Sequence, residues 1–255
     1  MGYPGLPSPY EAERRKQIDR TKTGLLLLLV GGLLSWIPII QFIGALLSFI
    51  GAILVILGRK AFGAMHARNV VLAIVLVFVG ITGFIVLGIT FALSVFSAGQ
   101  TPQEIARALG SALNNLLIGA IVVGAITGLA SVLFTYALQQ QTGKILLWAG
   151  YGANLAVQIA VFAILSPLIT AAVNDAITGG TADPARFLAL QAQATSLGLL
   201  GAIPALLFAA ATYLAWSRVN RGEIPPPITP PGMPAGPGAW PPAPPTGPAP
   251  PINPQ

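Results

Sequence analysis

Hydrophobic positions along this chain fall into long runs separated by short polar breaks. Runs of about 18 or more apolar residues read as membrane crossings. On that basis the pattern predicts six, over residues 24–40, 41–58, 70–96, 116–138, 145–173 and 197–217. The first two form a hairpin turning over residues 36–41 around Pro38. At a rise of ~1.5 Å per residue each arm covers roughly 25 Å, a little short of a ~30 Å hydrocarbon core. Full crossing is preferred there over a re-entrant hairpin.

The polar breaks predict further elements. Residues 1–23 form a polar arm whose stretch from Glu11 to Lys22 suits a short interfacial helix. Thr101-Pro102-Gln103-Glu104 has the form of a capping box, in which threonine and glutamate each satisfy the other's free backbone N–H. It predicts a short helix carrying Ile105, Leu109 and Leu113 on one face and leading into the fourth crossing. Asp183-Pro184 predicts a similar start before the sixth. Gln139 to Lys144 reads as a polar loop, and His66, between Lys60 and Arg68, as a solvated loop residue.

Charge orients this scheme. Six crossings put Arg14, Arg15, Lys16, Arg20, Lys22, Arg59, Lys60, Arg68, Lys144, Arg218 and Arg221 on one side, against Arg107 and Arg186 on the other. Basic residues collect on the cytoplasmic side. Both termini are therefore expected in the cytoplasm of a multi-pass protein of the cell membrane. Tyr136, Trp148, Tyr213 and Trp216 fall near the inner interface, where amphipathic rings settle. The basic residues flank apolar runs rather than making a folded basic face, so the net charge of +6 points to a lipid bilayer and not to nucleic acid. Arg59, Lys60 and Arg68 are candidate contacts for anionic lipid headgroups. The N-terminal run continues into the second without a small-residue cleavage site, which argues against a cleaved signal.

Composition agrees: 55% of residues are hydrophobic and only 8% charged, against roughly a quarter in soluble domains. It changes abruptly near residue 222. Fifteen of the 23 prolines lie between Pro225 and Pro254. Without N–H donors and with φ fixed, that stretch is expected to be disordered, with polyproline II character. Its spacings, such as Pro227 to Pro230 and Pro231 to Pro234, suit aromatic grooves on a cytoplasmic protein partner. An unpartnered spacer is the alternative.

Small residues mark candidate helix-packing stripes: Gly44, Ser48, Gly51 and Gly58; Ala120, Gly124 and Gly128; Gly152, Ala156 and Ala160. Lipid tails give no hydrophobic contrast with leucine, so close backbone approach is a main source of association between spans. These stripes serve contacts within one chain or between copies in a homo-oligomer; both stay open. Pro38, Pro167 and Pro204 share the outer half of the membrane, where kinks would suit a cleft.

Candidate chemistry is sparse. The expected crossings hold no Asp, Glu, Lys, Arg or His, which argues against proton-coupled transport and intramembrane metalloproteolysis. With no cysteine there is no thiolate zinc site and no thiol nucleophile. No phosphate-binding glycine loop occurs, and no serine has a base in its motif. We therefore expect no enzyme, no cofactor and no metal site. Asn154 and Gln158, four residues apart with Tyr151 one turn before, are the candidate contacts for a neutral solute; the alternative is hydrogen bonding between helices.

Three segments, Thr21-Lys22-Thr23-Gly24, the Gly44/Gly51/Gly58 series running into Arg59-Lys60-Ala61-Phe62-Gly63, and Gln139 to Lys144 before Leu147-Trp148, carry a resemblance. In them the chain resembles prokaryotic, particularly archaeal, multi-pass membrane families of uncharacterised function. The resemblance implies a membrane bundle and no site residues. The functional expectation is a non-enzymatic membrane-embedded interaction or scaffold protein, with a channel or transporter for a neutral or weakly polar solute as the alternative.

Overall fold

A computed structural model of the chain describes residues 9–35, 37, 39–99, 101–179 and 184–226. The expected proline-rich tail beyond Pro226, and Trp36, Pro38 and Asp183, lie outside the described residues. The described residues up to Pro225 form one compact unit. Every regular element among the described residues is helical: α1 (Pro9–Leu34), α2 (Gln41–Gly58), α3 (Ala64–Phe96), α4 (Pro102–Tyr136), α5 (Gln141–Gly179), α6 (Pro184–Gly198) and α7 (Ala202–Asn220). Short 3-10 turns over Arg59–Phe62 and Leu199–Gly201 join α2 to α3 and α6 to α7.

Five stretches are long and apolar enough to cross a membrane: Gln41–Phe62, Ala64–Phe96, Gln103–Tyr136, Gln141–Thr178 and Gln191–Asn220. The first expected crossing, 24–40, is not among them. Within α1 only the part from Gly24 to Leu34 is uninterruptedly apolar, and the turn before it carries Asp19, Arg20 and Lys22.

The short helices expected at Glu11–Lys22 and after Thr101 are continuous with longer ones. No break separates the charged arm from the apolar part of α1, nor the capped start of α4 from its apolar body. The capping box forms: Thr101 Oγ1 accepts from the Glu104 backbone N–H at 3.3 Å, and a Glu104 carboxylate oxygen accepts from the Thr101 N–H at 3.3 Å. Once nucleated there, nothing downstream in α4 interrupts propagation. The α2–α3 connection closes on Gly63, whose φ of +91° is a conformation only glycine adopts without strain. Pro204 sits in the first turn of α7, where a missing N–H breaks no helical bond, and the 3-10 turn precedes it.

Helices α1 and α2 pack antiparallel along their length, α7 lies between α1 and α5, and α4 between α5 and α3. Helices α2 and α3 barely touch. The first seam is glycine against glycine. A Cβ on Gly24 would stand 2.6 Å from the Gly51 carbonyl oxygen, and one on Gly31 2.6 Å from that of Gly44. Gly58 lies against Gln17 and Thr21. A seven-residue interval returns to the same helix face after two turns, so Gly24 and Gly31 on α1 meet Gly51 and Gly44 on α2 in register.

One end of the bundle, here the basal end, is sealed by a core of Leu25, Val55, Val70, Leu138, Ala215 and Val219, joined by Phe62, Trp216 and Ile224. Clusters around Val132, Leu147 and Ala211, and around Leu165, Ile169 and Leu197, hold the middle and the opposite end.

Candidate functional site

Directly above the basal core the helices part around a cavity of about 490 Å³. Its walls come from α1, α2, α3, α4, α5 and α7. Leu28 lies one turn above Leu25, Ala52 one turn above Val55, and Phe134 one turn from Leu138, so the sealed core is its floor. The opposite wall is α7, through Ala205, Phe208 and Ala209. Between the barely touching α2 and α3, two of its lining residues, Phe49 and Val77, remain 64% and 41% exposed. The cavity thus opens sideways, toward the surface that the apolar exteriors of α2 and α3 present.

Among the described residues no charged side chain and no amide lines it; their polar groups are the hydroxyls of Ser35, Ser48, Ser131, Thr135 and Thr212. Ser35 Oγ donates to Gly32 O at 2.9 Å, Ser131 Oγ to Thr127 O at 3.0 Å, and Thr212 Oγ1 to Phe208 O at 2.8 Å. Each of these three has given its proton to its own helix and keeps only acceptor capacity.

The residues expected to contact a solute lie elsewhere. Gly124 of α4 faces the Gln158 amide, and Gly128 faces the Tyr151 ring and, at 3.4 Å from an added Cβ, Asn154 Nδ2. Tyr151, Asn154 and Gln158 therefore fill the α4–α5 seam, half-buried, with the glycines of α4 making room for them. None of them lines the cavity. Tyr151 also meets the Trp148 ring edge-on at 5.8 Å.

Of the expected packing residues, Gly44, Ser48, Gly51 and Gly58 meet α1, and Gly124 and Gly128 meet α5, all within one chain. Ala120 and Ala160 are half-buried. Gly152 and Ala156 are exposed, and nothing among the described residues lies within 4 Å of a Cβ on Gly152. The prolines do not converge either: Pro204 is buried and Pro167 lies on the exposed face of α5.

Two polar residues correct the sequence reading. His66, expected in a solvated loop, is fully buried in the first turn of α3, edge-on to Phe62 at 5.6 Å, and neither ring nitrogen has a hydrogen-bond partner among the described residues. Because α3 begins at Ala64, His66 lies one helical turn before Val70, and the register carries it toward the basal core. Gln139, expected in a polar loop, is buried and donates through Nε2 to Ala211 O at 2.8 Å. Beside it, Arg218 Nη1 donates to Leu138 O at 2.6 Å. These two bonds pin the α4–α5 turn to α7. Arg218 and Arg221 both pair with Glu223, at 3.3 Å and 3.0 Å.

Of the candidate headgroup contacts, Arg59 is half-buried and turns back to donate to Ile56 O at 2.9 Å. Lys60 and Arg68 are exposed. Among the described residues no group of acidic, histidine or cysteine side chains could hold a metal ion. Gly24 and Gly31, half of the first seam, were not singled out in the sequence; their seven-residue interval, the same as that of Gly44, Gly51 and Gly58, is the signal that could have found them.

Compared with known protein families, curated proteins and solved structures, the chain matches none. What the site does has to be read from its own geometry.

Proposed function

We propose that this chain is a six-span, non-enzymatic membrane protein with both termini in the cytoplasm. Its bundle acts as a platform from which the proline-rich tail recruits a cytoplasmic partner. The observation that carries this reading is the built root of the tail. Ile224 packs into the basal core, Glu223 pairs with Arg218 and Arg221, and Arg218 holds the α4–α5 turn. A spacer needs no such anchorage. The first expected crossing, within α1, is supported by the pairing of α1 with the full length of α2, which sets Asp19, Arg20 and Lys22 level with Arg59 and Lys60. Lys60 and Arg68 are free to meet anionic headgroups at that level. A pull-down with residues 222–255 as bait should recover a partner that a scrambled tail does not; equal recovery by both baits refutes recruitment.

A second reading, a carrier for a neutral solute, finds support in the cavity rather than in Asn154 and Gln158. Uptake into proteoliposomes that cavity-filling substitutions leave unchanged would refute it.

A further inference from the structure

We propose that the central cavity is a binding site for a neutral lipid whose polar part is a hydroxyl group, taken in from the bilayer between α2 and α3. The proposal rests on the cavity being a ligand site and is independent of the tail. Its volume, about 490 Å³, lies within the ~300–1,000 Å³ usual for small-molecule sites. The described lining carries no charged or amide side chain, so an ionic ligand would be stripped of water there without a partner. The floor is sealed by the basal core, and the gap between α2 and α3, past the exposed Phe49 and Val77, is a route to the side. In a bilayer that route leads to hydrocarbon, and an apolar cavity joined to hydrocarbon takes up apolar chains.

The hydroxyls then select among lipids. Ser35, Ser131 and Thr212 have each spent their proton on a carbonyl of their own helix and offer only lone pairs. Thr135 Oγ1, without a partner among the described residues, keeps its proton. The set therefore suits an alcohol O–H, which both donates and accepts, better than an ester or ether, which can only accept and leaves the three lone-pair sites unmet. A carboxylate fails as a charge, with no cation in the described lining to meet it.

The test uses the full chain in detergent micelles and a photoreactive, diazirine-bearing hexadecanol as the probe. Labelling should map to the cavity-lining parts of α2 and α7, around Phe49 and Phe208. Unlabelled hexadecanol should suppress it. Hexadecyl methyl ether should compete about fivefold less well, the factor given by one net hydrogen bond of ordinary strength. Ala209→Phe and Ala52→Phe, filling the cavity from opposite walls, should each abolish cavity labelling, whereas Ile159→Phe on the exposed face of α5 should not. Thermal unfolding shows which variants remain folded. Undiminished labelling in a folded filled variant overturns the site, and equal competition by alcohol and ether overturns the hydroxyl assignment. Labelling as described without transbilayer flux of the alcohol refutes the carrier and leaves the binding site standing.

Discussion

Substituting Gly51 by alanine tests the α1–α2 seam midway along its length, between Gly44 and Gly58. The new Cβ would stand 2.7 Å from the Gly24 carbonyl oxygen and 2.9 Å from the Leu28 nitrogen. Ordinary contact begins near 3.4 Å, so the methyl is about 0.7 Å too close to Gly24. Both obstacles are backbone, and no side-chain tip can swing aside. Helix α1 has to retreat, and the Gly31–Gly44 contact two turns away opens with it. Overpacking of this kind costs about 1–3 kcal/mol. Alanine recovers part of that, up to about 1 kcal/mol, through its better helix propensity. The net expectation is a destabilisation of about 1–2 kcal/mol, read by equilibrium unfolding in mixed micelles. Gly152→Ala is the matched control, because nothing lies within 4 Å of its Cβ and only the propensity gain remains. A Gly51→Ala protein as stable as Gly152→Ala would refute the seam.

Other substitutions probe the basal end. His66→Leu removes two buried nitrogens that have no partners, so stability should hold or rise by about 1 kcal/mol, whereas His66→Lys should prevent folding; the same unfolding titration separates them. Arg218→Ala should cost about 1.5–3 kcal/mol through the lost bond to Leu138 O, and hydrogen exchange should quicken first at residues 139–144. At the start of α4, beyond the expected crossing, hydrogen bonds from the Thr101 side chain and then its backbone hold the Glu104 carboxyl below its usual range. A depressed carboxyl stabilises the fold above its ordinary pKa and loses that contribution as the pH falls. Protection of the Glu104 amide should therefore fade below pH ~4 in the native chain, and Thr101→Ala should remove that pH dependence.

The helices were legible because a bilayer demands runs of apolar residues long enough to cross it, and a run is visible without knowing its neighbours. The start of α4 was legible for a local reason: Thr101 and Glu104 satisfy each other across three residues. What escaped depended on partners distant in sequence. Gln139 looks like loop until Ala211, on another helix, accepts its amide. His66 looks solvated until α3 starts early enough to turn it inward. Asn154 and Gln158 looked like solute ligands because they share a face, but that face meets the glycines of α4. The cavity had no sequence signature, since its lining of small, apolar and hydroxyl residues from six helices resembles the rest of the chain.

The most direct test of the six-span platform is single-cysteine labelling in intact cells, for which the chain, lacking cysteine, is already a clean background. Ile39→Cys, Ser97→Cys and Thr178→Cys should react with an impermeant thiol reagent from outside, while Lys60→Cys, Thr142→Cys and Arg221→Cys should react only after the membrane is opened. Labelling of Arg221→Cys from outside, or silence of Ile39→Cys where Ser97→Cys and Thr178→Cys react, would contradict the account.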